Sequence, residues 1–238
     1  KEVLEEVVRA AGKKAKVIAQ TGALELAATI ELTRHAQEAG AYAAGIVSPY
    51  FYSFDDDALF QYYAAIAKAV PDFPVLVYNI PSCAKNRLSP ELVKRLADAH
   101  ENIVGIKDSS GNILSLTQMI GEAAKGFHVI NGVDDYGLQA LIMGCPAVVS
   151  GTSNVICDLY AAIYAAFTKG DLKKARDLQI VMEKATRVLE YGAKAAIFKE
   201  GARLRGVDAG YVRPPQRELT AAEKKKLATN LDALGLLK

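Results

Sequence analysis

The sequence predicts an α/β protein of repeated βα units around a parallel sheet, followed by an all-helical C-terminal extension. Three observations carry this expectation. From Lys16 onward, short β-branched runs alternate with longer segments of helical periodicity, the pattern of parallel strands joined by crossover helices. With 51% hydrophobic and 24% charged residues in 238, the chain holds enough apolar material for one sizeable core, so a single domain is expected. After Thr168 the alternation stops and only helical periodicity remains, which divides the domain into a βα portion, residues 1–168, and a helical extension, residues 169–238.

The elements follow in order. KEVLEEVVRAAG reads as an amphipathic helix closed by Gly12. Because that helix starts at once, and on Lys1 rather than Met, the chain is expected to begin inside a domain. Six strands are expected: Lys16 to Gly22, Ala43 to Ser48, Val75 to Asn79, Ile103 to Lys107, His128 to Gly132 and Ala147 to Gly151. Helices follow them at Leu24 to Glu38, Asp55 to Ala69, Pro90 to His100, Ile113 to Ala124, Tyr136 to Met143 and Ile156 to Thr168. Ser89 before Pro90 is a fitting N-cap, and Gly40 and Gly144 stand where helices should stop. The extension adds helices near Leu172 to Tyr191, Ala193 to Arg205 and Ala221 to Leu236.

Parallel units with right-handed crossovers form either an open doubly wound sheet or a closed barrel, and the strand pattern suits both. No strand is followed by a Gly-rich phosphate loop; GIKDSSGN and VSGTSN are the nearest approaches and lack the dinucleotide pattern. Nucleotide binding is thereby disfavoured.

Charge and composition exclude further classes. A net charge of +2 from 29 basic and 27 acidic residues, interspersed along the chain, creates no field for a polyanion, so nucleic acid is not expected as a partner; the Lys224 to Lys226 run reads as a solvated helix face. Cys83, Cys145 and Cys157 lack disulfide or zinc spacing, which fits a reducing, cytoplasmic setting. The apolar runs fall far short of a membrane span, and no signal peptide is recognisable. His35, His100 and His128 have no ligand spacing, so no metal is expected, and Asp55 to Asp57 read as a helix cap rather than a carboxylate cluster.

In either architecture ligands bind at the C-terminal ends of the parallel strands, where Tyr78 and Lys107 stand. Burial disfavours an ammonium's charge, so a lysine closing the apolar strand IVGIK is a candidate for the neutral amine that imine formation needs. A protonated imine is an electron sink for carbon–carbon bond cleavage or formation, and a phenol can shuttle the proton each step requires. From position alone both residues have blander readings: a strand-end lysine is commonly ion-paired or solvated, and a strand-end tyrosine commonly caps a core.

YNIP at Tyr78 to Pro81, followed by GIKDSSGN at Gly105 to Asn112, resembles the paired signatures of the dihydrodipicolinate synthase and N-acetylneuraminate lyase family. SPYFYSF at Ser48 to Phe54 is similar to the family's aromatic loop, GVDD at Gly132 to Asp135 to its seventh-strand loop, and SGTSNV at Ser150 to Val155 to its eighth; RGVDAGYVRPP resembles family tails. The resemblance implies a TIM (β/α)8 barrel, represented here by six βα units plus the helical extension. It also implies a class I aldolase or lyase without a separate cofactor. Lys107 would form a covalent imine with pyruvate or a longer keto acid, and Tyr78 would relay the proton. Gly132, Asp134, Val149 and Ser150 would face the substrate, and Tyr50, Phe51 and Tyr52 would line the mouth and reach a neighbouring subunit in a homodimer or homotetramer. The implied partners are a small keto acid and an aldehyde.

The chain departs from the family pattern in three places. The family's two first βα units, with a Gly-Thr-Thr-Gly-Glu-like loop that holds the pyruvate carboxylate, have no counterpart here, so an N-terminal stretch is expected to be missing. Cys83 stands where synthases carry an arginine for the aldehyde's carboxylate, with Lys85 and Arg87 as nearby substitutes; Phe51 stands where they carry a second relay tyrosine, with Tyr52 next to it. These differences weaken the synthase reading. The SPYFYSF loop favours a sialic-acid-like substrate, the YGAKAAIF motif and the RGVDAGYVRPP tail favour a 2-keto-3-deoxy sugar acid, and the reading leans toward cleavage of such a keto acid. Condensation of pyruvate with aspartate semialdehyde is the alternative, and a catalytically silent barrel with a binding or regulatory role is another.

Overall fold

The computed structural model describes residues 1–190 and 194–237. Its chain divides into two compact units, one of Lys1–Gly132 with Met143–Ala147, the other of Val133–Ile142 with Val148–Lys238.

The first unit is a parallel sheet with its crossover helices. Helix α1 (Glu2–Ala11) ends at Gly12, whose φ of 50° lies in the left-handed region that glycine tolerates. Strands β1 (Ile18–Gln20), β2 (Ala43–Val47), β3 (Val75–Asn79), β4 (Ile103–Asp108) and β5 (His128–Asn131) lie side by side in that order, every neighbouring pair parallel. Between them run α2 (Leu26–Glu38), α3 (Asp56–Ala69), the short α4 (Pro81–Ala84), α5 (Pro90–Ala99) and α6 (Ile113–Glu122). The caps are supplied locally. Asp55 accepts from the Ala58 amide at 2.8 Å, Ser89 from Leu92 at 3.1 Å, and Asn112 from both Leu114 and Ser115.

Side chains alternate along each strand, so the register assigns them to faces. Ile46, Val77, Ile106 and Val129 are paired in sequence across the sheet and buried. The opposite face carries a small cluster of Ala43, Leu76 and Ile130 with Val104 and Ala147 against it. Gly105 in β4 is required by close approach: a Cβ there would lie 2.4 Å from the His128 carbonyl oxygen of β5.

The expected sixth strand at Ala147 to Gly151 is corrected to a single bridge residue, Val148. The Ala147 carbonyl still accepts from the Asn131 amide at 3.2 Å, but the chain then turns through side-chain bonds that compete with a ladder. The Thr152 amide donates to Ser150 Oγ at 3.0 Å, and Asn154 Nδ2 donates to the Gly151 carbonyl at 2.8 Å.

The second unit is helical. A 3₁₀ turn, Asp134–Tyr136, leads into α7 (Gly137–Met143), and α8 (Ser153–Thr168), α9 (Leu172–Leu189), α10 (Lys194–Leu204) and α11 (Ala221–Ala233) follow. Ile156, Met182, Leu189 and Leu231 are fully buried in its core. Helix α8 kinks at Ile156, and α11 opens with a reciprocal Thr220–Glu223 capping box. Tyr191, Gly192 and Ala193, which open the YGAKAAIF motif, lie outside the described residues. No helix among the described residues is long and apolar enough to cross a membrane.

Candidate active site

Tyr78 and Lys107 face each other across two adjacent strands. Their Cα atoms are register partners in β3 and β4, and the Lys107 Nζ lies 4.1 Å from the centroid of the Tyr78 ring. Both side chains are partly buried. The electron-rich ring face attracts a cation in that position, an interaction worth about 0.5–2 kcal/mol depending on how far water is excluded. Such an arrangement suits an amine whose reaction passes through an iminium cation.

Gly132 belongs to the same cluster. A Cβ at this position would lie 2.0 Å from Ser109 Oγ and 3.1 Å from Lys107 Cε, so the absence of a side chain leaves room for the lysine stem. Its amide donates to the Asp108 carbonyl at 2.8 Å.

The aromatic loop that follows β2 is outward-facing: Tyr50, Phe51 and Tyr52 are 42%, 68% and 65% exposed. Phe51 has φ of 84°, rare for a residue with a side chain, and its ring meets Tyr52 edge-on at 4.9 Å. Asn86, which sequence reasoning did not single out, pins this loop. Its Nδ2 donates to the Pro49 and Tyr52 carbonyls at 2.7 and 2.8 Å, and its Oδ1 accepts from the Phe54 amide at 2.8 Å.

Two basic residues considered as substitutes for the missing arginine are differently placed. Lys85 is exposed, and the Arg87 guanidinium donates to Ser115 Oγ. Cys83 is exposed on α4. Of the three acidic residues read as a helix cap, Asp55 caps α3, while Asp56 accepts from Ser89 Oγ and Asp57 pairs with Arg95.

In the second unit, Asp134 and Ser150 meet through Thr152. Thr152 Oγ1 donates to Asp134 Oδ2 at 2.8 Å and lies 2.9 Å from both Ser150 Oγ and the Tyr160 hydroxyl. Burial, reinforced by the Asp134 carboxylate, pushes the Tyr160 phenol far above its ordinary range, so it stays a neutral donor. Val149, also expected on the substrate side, is 41% exposed. Gln179 anchors the acidic turn, donating to the Asp134 carbonyl at 2.8 Å and accepting from the Leu138 amide at 2.9 Å. Among the described residues no group of three His, Cys, Asp or Glu side chains could hold a metal ion.

The model of the dihydrodipicolinate synthetase family matches residues 1–234. The chain belongs to this family. It is 32% identical over 237 residues to the 4-hydroxy-tetrahydrodipicolinate synthase of Thermus thermophilus, covering 100% of this chain and 79% of that protein. It is 35% identical to the synthase of Syntrophus aciditrophicus, over 99% of this chain and 80% of the relative. Among solved structures, a dihydrodipicolinate synthase from Bacillus anthracis superposes with a TM-score of 0.92 at 33% identity, covering 97% of this chain and 78% of that one. YagE, a prophage protein of the family from E. coli K12 solved in complex with pyruvate, gives 0.94 at 29% identity, with 99% and 80% covered. Family membership assigns the sheet to the TIM-barrel class and the chain to a family of carbon–carbon lyases, the pyruvate-dependent class I aldolases.

Proposed function

We propose that the chain makes or breaks a carbon–carbon bond next to an imine held on Lys107, with Tyr78 moving the proton. The observation that carries this reading is the lysine nitrogen 4.1 Å over the tyrosine ring. In the cleavage direction, Nζ adds to the C2 carbonyl of a 2-keto acid, and loss of water leaves an iminium. Tyr78, left as the phenolate after giving its proton to the departing hydroxyl, accepts the proton of the C4 hydroxyl as the C3–C4 bond breaks; the aldehyde departs, and the bonding pair is held as an enamine. Protonation at C3 and hydrolysis return pyruvate and the free amine. The nitrogen carries positive charge in the iminium on either side of the enamine, and the ring face stabilises it there.

For the substrate, cleavage of a 2-keto-3-deoxy sugar acid or a sialic-acid-like acid is the preferred reading. Its support is the exposed Cys83 where synthases carry an arginine, together with the engagement of Arg87 by Ser115. Condensation of pyruvate with aspartate semialdehyde is the second reading, favoured by the names of the curated relatives. Roles for Gly132, Asp134, Val149 and Ser150 toward the keto acid rest on the family resemblance. So does assembly into a homodimer or homotetramer, for which the exposed Tyr50, Phe51 and Tyr52 supply apolar surface.

The test is to mix the protein with pyruvate and borohydride and map the adduct by mass spectrometry. A reduced pyruvoyl group on Lys107 is expected, and an unmodified intact mass removes the imine mechanism in favour of a silent barrel. A panel of keto acids assayed for released pyruvate, beside aspartate semialdehyde assayed for consumption with pyruvate, separates the two substrate readings.

A further inference from the structure

One residue beyond Tyr78 and Lys107, and on the opposite face of the sheet, runs a row of buried polar side chains. Ser48 follows β2, Asn79 closes β3, Asp108 closes β4 and Asn131 closes β5. The register pairs Asn79 with Asp108 and Asp108 with Asn131, and the Val47–Tyr78 pair brings Ser48 alongside. None is more than 1% exposed. The facing positions of the same strands one step back are Ile46, Val77, Ile106 and Val129, so aliphatic side chains would have filled this layer too.

Asp108 accepts three hydrogen bonds through its carboxylate. Its Oδ1 accepts from Asn79 Nδ2 at 2.7 Å and from the Ser110 amide at 3.3 Å, and its Oδ2 accepts from Ser110 Oγ at 3.0 Å. Asn79 Oδ1 in turn accepts from the Leu88 amide at 3.0 Å, and the Asn79 carbonyl accepts from the Ser109 amide at 2.8 Å. Burial pushes the Asp108 carboxyl above its ordinary value, against the donors from Asn79 and Ser110. A one-residue slip between β3 and β4 would break these bonds in a buried layer and put the two reactive side chains on opposite faces.

We infer that Asp108, acting through Asn79, is a positioning residue for the proposed chemistry: it locks the ends of β3 and β4 so that the Lys107 nitrogen stays over the Tyr78 ring. This role rests on the aldolase reading of those two residues. The Asp108–Asn79 bond joins the two strands immediately beyond the Tyr78–Lys107 register pair. Specificity of register, rather than stability, is what a buried polar pair supplies that an aliphatic pair does not.

Asp108→Asn keeps an acceptor for Asn79 and offers an amide donor to the Ser110 hydroxyl, whereas Asp108→Leu keeps the branched shape and removes every acceptor. The native fraction of each variant is fixed first by circular dichroism and thermal melting, and Ser110→Ala is run beside them as a milder change that leaves the Asn79 bond in place. Hydrogen exchange at the Leu88, Ser109 and Gly132 amides reads the clamp without reference to catalysis. In Asp108→Leu, exchange at these amides is expected to rise about tenfold, and kcat to fall about 10²-fold with KM little changed. Asp108→Asn is expected to recover both. In Ser110→Ala the same changes are expected in the same direction and smaller.

Wild-type exchange in folded Asp108→Leu, or wild-type kcat despite faster exchange, overturns the inference; so does an Asp108→Asn variant as impaired as Asp108→Leu. Where Asp108→Leu does not fold, an unaltered kcat and unaltered exchange in Ser110→Ala overturn it. Should wild-type Lys107 take no pyruvate adduct, the aldolase reading itself falls, and the exchange data alone decide whether the clamp exists.

Discussion

The Lys107 nitrogen sits 4.1 Å over the face of the Tyr78 ring, from the position directly opposite on the neighbouring strand. In the proposed mechanism the ring and its hydroxyl therefore have separable duties. Tyr78→Phe keeps the face that stabilises cationic nitrogen and loses the proton carrier. Pyruvate trapping on Lys107 by borohydride is expected to persist, while steady-state turnover falls about 10²–10⁴-fold. Trapping and turnover lost together would assign the hydroxyl to imine formation instead.

Gly132 tests the room left for the lysine. In Gly132→Ala the new methyl meets Ser109 Oγ at 2.0 Å and the lysine stem at 3.1 Å. Side chains, not backbone, must give way, so the stability loss should stay within about 1–3 kcal/mol. The rate of borohydride-dependent labelling is expected to drop about 10²-fold as the amine is displaced. Denaturant melts and labelling time courses measure the two effects on the same sample.

Asn86 holds the aromatic loop by three bonds to its backbone. Asn86→Ala leaves those groups without their partner in a site only 3% exposed, at a cost of about 2–3 kcal/mol. Chymotrypsin, which cleaves after aromatic residues, should then cut the Tyr50 to Tyr52 stretch faster than in the wild type. An unchanged cleavage rate would mean the loop is held by other contacts.

The start of α11 carries a pH signature. Glu223 is held at about 2, below its ordinary 4.5, first by the Arg217 side chain and then by the Thr220 amide. A carboxyl depressed on folding contributes stability that is fully present above its unfolded value and is lost as pH falls through the folded one. The melting-temperature difference between wild type and Glu223→Gln should therefore be constant near neutrality, shrink below about pH 4.5 and vanish near pH 2. A difference that survives at pH 2 would assign the effect to shape rather than charge.

Much of this was readable before any coordinates, and the particular residues show why. Val75–Asn79 was delimited to the residue because an apolar run buried on both faces has sharp polar borders. Tyr78 and Lys107 could be placed at strand ends, yet only the register shows them to be direct partners. The stretch after Ala147 has the β-branched composition of a strand, but Ser150 and Asn154 bond to their own backbone and turn it. Asn79 and Asp108 went unread because a polar residue ending a strand looks like a border with solvent. Which face it occupies is set by the register, and that the face is buried depends on what packs over it. The four-residue α4 is too short to leave a periodic signal.

The sheet of the first unit has its strands in the order of the sequence, each paired with the one before it. Among the described residues every pairing in this sheet is made between consecutive strands, Ile18 with Ala43 and Ala44 with Val75. Such a topology keeps loop-closure entropy low at each step and lets the sheet grow by accretion, one strand and crossover at a time, as chain becomes available. The juxtaposition of phenol and amine thus needs only the pairing of two consecutive strands, β4 with β3.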